Sequence, residues 1–198
     1  MRLYLADSAV DAVYLIVVLV KGCFMANGQI TLQEINILDQ PHFIQALGSL
    51  FEGPPWIVSA AWYKRPFASL DALYQTFCTI MYEAPVERQV ELLQAHPDLV
   101  GRAALAGTLS SSSTAEQAAA GLDRLSPAEI ATFTKLNASY FEHFGFPFVI
   151  CARENKKESI LAAFAVRLHQ SREQEIATAL AEVAKICSLR YFNLVSES

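Results

Sequence analysis

His96 stands between an apolar helical run and Pro97, in the stretch QAHPDLVGR at 94–102. An unperturbed imidazole titrates at about pH 6.5, so a neighbour can tune it to give or take a proton near neutrality. Pro97 fixes the backbone that aims it. The plainer alternative is a helix-terminating histidine bonded to a carbonyl, with Asp98 capping the following turn and Arg102 paired to a surface carboxylate. Glu116 follows Ser113 by three residues, the spacing of a capping box, in which the serine oxygen accepts from an early backbone N–H and the glutamate reaches back. A first helical turn also welcomes anions, so an anionic ligand can share the place of Glu116, while Gln117 reads as ordinary helix surface. Arg153, Arg167 and Arg190 are candidates for a guanidinium fork onto a substrate carboxylate, with a stem-packed salt bridge as the alternative for each.

Other chemistries lack their residues. The sequence has no GxGxxG, no phosphate loop and no GxSxG elbow. Its four cysteines and four histidines are scattered without metal-ligand or dithiol spacing, so no metal is expected and the thiols read as free and buried in a reducing cytoplasm. Acid, base and charge remain.

Those side chains are positioned by helix ends. Asp39 can cap a helix carrying Phe43, Ile44, Leu47 and Leu50, which Gly53-Pro54-Pro55 stops. Ser69 can cap the next, where Leu70, Leu73, Tyr74, Phe77, Ile80 and Met81 recur at helical spacing. Pro85 opens a third helix through Val86, Val90 and Leu93, which ends before Pro97 because the residue preceding proline avoids the α region. Ser126-Pro127-Ala128-Glu129 is a second capping box and opens a helix through Phe133, Leu136, Tyr140 and Phe144 that Gly145 ends. Phe146 to Cys151 reads as an extended segment through the core. Ile160, Leu161, Phe164 and Leu168 mark a penultimate helix, and Ser171 to Gln174 opens the last. The expected architecture is all-α, a single compact domain of about seven or eight helices in an irregular bundle.

A chain of 198 residues with 53% hydrophobic content can bury one good core. The net charge of -5, with no basic cluster, argues against a nucleic-acid partner. Ala12 to Val20 is an apolar run of about half the roughly 20 residues needed to cross a bilayer, so no membrane partner is expected. Acidic Asp7 and Asp11 fit a signal peptide poorly, and Met25 is the more natural beginning. Residues 1–24 are therefore expected to lie outside the functional fold, which occupies 25–198.

Four stretches carry a family resemblance: AHPDLVGRAA at 95–104, STAEQAAAGLDRLS at 113–126, FTKLNASYFEHFGFPFVICAR at 133–153 and EVAKICSLRYFNLV at 182–195. In that order and spacing they resemble the decarboxylases of 2-oxo-4-hydroxy-4-carboxy-5-ureidoimidazoline (OHCU), with the resemblance running from about Ile37 to Val195. It implies an all-α, cofactor-free carboxy-lyase of urate and purine catabolism, commonly a dimer, that yields (S)-allantoin and CO2. It further implies that His96 is the catalytic acid/base with Glu116 as its partner, and that Pro97 shapes the loop. Ser113 and Gln117 would contact the ureido and ring groups, and the segment holding Phe146, Phe148, Val149 and Ile150 would line the pocket. Arg190 would meet the substrate, with Arg167 as the fallback; Tyr191 stands where leucine is usual in the family. The implied partner is a small-molecule substrate, with a homodimer in the cytoplasm, since Ser196-Glu197-Ser198 is no peroxisomal address. The alternatives are a non-catalytic helical ligand-binding domain, or a decarboxylase of a related ureido acid.

Overall fold

The computed structural model describes residues 28–197. The expectation for residues 1–24 lies outside the described residues. Among these, ten α-helices follow one another: α1 (Leu32–Ile37), α2 (Gln40–Leu47), α3 (Trp56–Trp62), α4 (Leu70–Tyr82), α5 (Val86–Gln94), α6 (Arg102–Leu105), α7 (Ser111–Ala119), α8 (Pro127–Phe144), α9 (Lys157–Arg167) and α10 (Arg172–Leu194). Two 3₁₀ turns, Gly48–Leu50 and Ala152–Glu154, and a two-residue parallel pair, β1 (Ile30–Thr31) with β2 (Val195–Ser196), complete it. The fold is all-α as expected. The count exceeds seven or eight because α1, α3 and α6 are too short to show helical periodicity. Helix α1 does carry a local start signal, a capping box of Thr31 and Glu34.

Most caps act where the sequence places them. Asp39 accepts from the His42 N–H and Ser69 from the Ala72 N–H. Ser126 with Glu129, and Ser171 with Gln174, form reciprocal capping boxes. Gly145 ends α8 at φ 80°, the left-handed conformation that glycine adopts without steric penalty.

The box proposed for Ser113 and Glu116 does not form. Ser110 is the cap, its Oγ accepting from the Ser113 N–H at 3.1 Å. Four consecutive serines offer nearly equivalent caps, and the first in the run is used. Ser113, Glu116 and Gln117 then stand at i, i+3 and i+4, on one face of α7. Asp98 does not cap α6 either: Gly101 occupies that position with no side-chain hydrogen bond.

The core lies around α10. Its Ile176, Leu180, Val183, Ile186, Cys187 and Tyr191 are buried against α4 and α5, whose buried faces carry Leu73, Phe77, Met81, Leu92 and Leu93. Tyr191 is fully buried, and its hydroxyl donates to the Leu70 carbonyl at 2.9 Å, so the ring packs in the core while its polar end is satisfied. Phe146 to Ala152 passes buried through the molecule, in agreement with its extended reading. The Arg167 guanidinium donates to the Val149 carbonyl at 2.8 Å and pairs with fully buried Glu175, which also accepts from the Tyr140 hydroxyl. Arg167 stacks over Phe148 at 4.3 Å from its ring centre. The extended segment is held against the helices by this buried pair.

Candidate active site

Helix α5 ends at Gln94, and its last turn directs His96 inward, leaving the residue 8% exposed. His96 Nδ1 lies 2.8 Å from the Leu92 carbonyl oxygen. A carbonyl can only accept, so Nδ1 carries the proton and Nε2 keeps a lone pair. Burial is the largest influence on the ring and lowers its pKa below the ordinary value. The Leu92 carbonyl and the charges of Glu52 and Glu116 act in the opposite direction without reversing the shift, and Arg190 adds to it. The result is a neutral imidazole with one fixed tautomer. Its bond to a carbonyl is the plain role considered for a helix-ending histidine, and it leaves the other nitrogen for chemistry.

The loop after Pro97 is held from two helices. Gln117 on α7 accepts from the Val100 N–H at 3.0 Å, and Asn137 on α8 donates to the Leu99 carbonyl at 2.8 Å. Between these clamps Val100 sits at φ 55°, a conformation unfavourable for a β-branched residue. Gly101 follows so closely that a Cβ there would lie 2.5 Å from Asp98 Cβ. Asp98 is half-buried, and burial raises its carboxyl above the ordinary range.

In the cavity that His96 also lines, Arg190 on α10 forms a two-pronged pair with Glu116 on α7, Nε to Oε1 and Nη2 to Oε2, each at 2.8 Å. Arg190 Nη2 also donates to Glu52 Oε1 at 2.9 Å, and Ser113 Oγ donates to that oxygen at 3.0 Å. Burial opposes charge on the guanidinium, but the bonds to Glu116 and Glu52 outweigh it, so the pKa of Arg190 is raised. Nη1 has only a long contact, 3.3 Å, to the Ser49 carbonyl.

His96, Pro97, Ser113, Glu116, Gln117, Phe148, Val149, Ile150 and Arg190 thus line one cavity of about 40 Å³, together with Glu52, Leu99, Ala152 and Ile186. Glu116 and Arg190 also line a wider outer cleft of about 530 Å³, where exposed Arg153 stands. Two expected residues are placed elsewhere. Phe146 packs among Tyr140 and Phe144, at 6.1 and 6.0 Å between ring centres. Arg167 is committed to Glu175 and the Val149 carbonyl and so reaches the cavity only through its wall. Glu116 makes its hydrogen bonds to Arg190 rather than to His96. Glu52 had no helical signal to mark it, because it lies in the loop between a 3₁₀ turn and Gly53-Pro54-Pro55. An isolated charge flanked by Leu50, Phe51 and Trp56 was the available hint. Among the described residues no group of three or more His, Cys, Asp or Glu is placed to hold a metal ion.

Comparison with known proteins shows the family to which the chain is similar. A decarboxylase of Haloferax volcanii named for 2-oxo-4-hydroxy-4-carboxy-5-ureidoimidazoline is 41% identical over 162 residues, 82% of this chain and 94% of that one. A Bos taurus protein of the same name is 40% identical over 166 residues, 84% of this chain and 98% of that one. A crystal structure of (S)-allantoin synthase superposes with a TM-score of 0.66 at 25% identity, covering 83% of this chain and 54% of that one. The family model for OHCU decarboxylase matches residues 36–191, and with these identities over most of its length the chain belongs to the OHCU decarboxylase family.

Proposed function

We infer that the chain decarboxylates OHCU to (S)-allantoin and CO2, a step of urate degradation. The observation that carries this reading is the meeting, in one cavity, of a neutral imidazole with an unoccupied Nε2 and an arginine whose charge is secured by carboxylates. Arg190 Nη1, the corner that Glu116 and Glu52 do not occupy, holds the leaving carboxylate. Its placement between two glutamates presses negative charge against the substrate carboxylate, and departure as neutral CO2 relieves it.

The electron pair of the breaking bond enters the adjacent ring C=N. His96 Nε2 takes the proton of the neighbouring hydroxyl and returns it to the ureido-bearing carbon from one face, which sets the chirality of the product. Ser113 and Gln117 contact the ureido and ring groups, and the wall of Phe148, Val149 and Ile150 excludes water. Glu116 acts mainly by fixing Arg190 and biases His96 through its charge.

The enzyme works as a homodimer in the cytoplasm. Exposed Leu105 and Phe141, which line the same surface cleft, supply apolar area for a self-contact, and free Cys78, Cys151 and Cys187 suit a reducing compartment. Among the described residues no helix is long and apolar enough to cross a membrane. Sedimentation equilibrium tests the dimer.

Circular dichroism of the product tests the activity, with substrate generated from urate by the two preceding enzymes. Accelerated appearance of (S)-allantoin is expected. Binding without turnover would mark a ligand-binding domain, and turnover of only a related ureido acid would mark a different decarboxylase.

A further inference from the structure

Glu116 is bound through both oxygens, Oε1 to Arg190 Nε and Oε2 to Arg190 Nη2. Glu52 is bound differently. Its Oε1 receives both Arg190 Nη2 and Ser113 Oγ, while Oε2 makes no hydrogen bond among the described residues and is not sealed from solvent. Its side chain is 19% exposed, and it lines the same cavity as His96. Of the two glutamates, Glu52 acts more strongly on the His96 ring.

The reaction needs such a group. A substrate carboxylate leaves as CO2, so one proton is taken up overall. The electron pair of the broken C–C bond passes into the ring C=N and makes that nitrogen a base. His96 can recycle only the hydroxyl proton, because its Nδ1 proton is committed to the Leu92 carbonyl. The extra proton must come from water through a second group.

We propose that Glu52 is a catalytic residue, with its open Oε2 relaying a proton from water to the ring nitrogen that receives the electron pair. This rests on the decarboxylase reading above. In each turnover the Glu52 carboxylate takes a proton from water at the cavity mouth on Oε2 and passes it to the ring nitrogen as the C–C bond breaks, so the new N–H forms and Glu52 returns to its charged form. His96 meanwhile moves the hydroxyl proton to carbon, so one proton is consumed and one CO2 released. Glu52 and His96 divide the proton work, and Glu116 is left to hold the arginine.

Glu52→Gln separates this role from a structural one, because an amide oxygen still accepts from Ser113 and Arg190 while the relay is lost. With the full chain and OHCU prepared from urate, kcat is expected to fall about 100-fold or more. KM should stay within about threefold, and the solvent deuterium isotope effect on kcat should rise as proton delivery becomes limiting. Should that variant fold poorly by circular dichroism, Glu52→Ala is assayed with and without sodium formate, a carboxylic acid small enough for the vacated space; formate is expected to restore turnover at least tenfold. Wild-type-like kcat in Glu52→Gln, or a raised KM with kcat and isotope effect unchanged, overturns the proposal, as does Glu52→Ala that formate fails to rescue. An inactive wild-type chain overturns the decarboxylase reading and this one with it, whereas an active wild type beside a fully active Glu52→Gln overturns only the role of Glu52.

Discussion

Arg190 and Glu116, 74 residues apart, meet edge to edge, with Nε on Oε1 and Nη2 on Oε2 at 2.8 Å each. Two parallel bonds fix the plane of the guanidinium as well as its position. The arginine is therefore oriented before any ligand arrives, and Nη1 is the corner it can turn to a substrate.

Arg190→Lys is expected to raise KM at least tenfold, since a single ammonium cannot serve Glu116, Glu52 and a substrate carboxylate together. Arg190→Met leaves two largely buried carboxylates without their counter-charge. It is expected to destabilise the fold by about 2–3 kcal/mol in urea unfolding, discounted from the fully buried case for partial exposure.

His96→Asn removes the open nitrogen while keeping a side chain able to donate to the Leu92 carbonyl. Turnover should fall by about 1,000-fold or more. The unfolding free energy should change by about 1 kcal/mol or less. Rates followed by circular dichroism of allantoin, beside a urea titration, check both.

Burial lowers the His96 pKa below the value the ring has in the unfolded chain. The neutral ring is the active base, so kcat should hold above about pH 6.5 and decline as pH falls through the depressed folded value. Stability carries the same sign. Between the two pKa values the unfolded chain binds more protons, so the contribution of this group is complete above about pH 6.5 and is lost as pH drops toward the folded value. His96→Asn should lose that part of the pH dependence of unfolding.

Arg167→Met should leave Glu175 buried without its ion-pair partner and cost about 3–5 kcal/mol. The double change Arg167→Met, Glu175→Leu should recover most of the loss. Per folded molecule, turnover should stay within about tenfold of wild type, since Arg167 touches the cavity wall through the Val149 carbonyl rather than the substrate. Denaturant titrations and active-site-normalised rates distinguish this from direct binding.

Gly101→Ala would drive a Cβ to 2.5 Å from Asp98 Cβ in the loop that follows His96. The loop must move, at a cost of about 1–3 kcal/mol. A fall in kcat larger than the change in melting temperature would suggest is expected, and comparing the two measurements at matched folded fractions checks it.

Much of this protein was decided locally and could be read from its residues in order. The caps at Asp39, Ser69, Ser126 and Ser171 are short-range hydrogen bonds, so their residue types suffice. Pro97 ends a helix by its own ring, and the resemblance of four motifs to those of the family named His96, Glu116 and Arg190 together, residues that line one cavity. The choice of Ser110 over Ser113 as cap was not legible, because neighbouring serines compete on nearly equal terms and the packing of α7 selects among them. The division of the arginines, the bonding of Glu116 and the presence of Glu52 were decided only in three dimensions. A charge in a loop has no periodicity to report which way it faces. Burial and distance to Arg190, brought from the far end of the chain by α10 crossing the core, determine what that charge does.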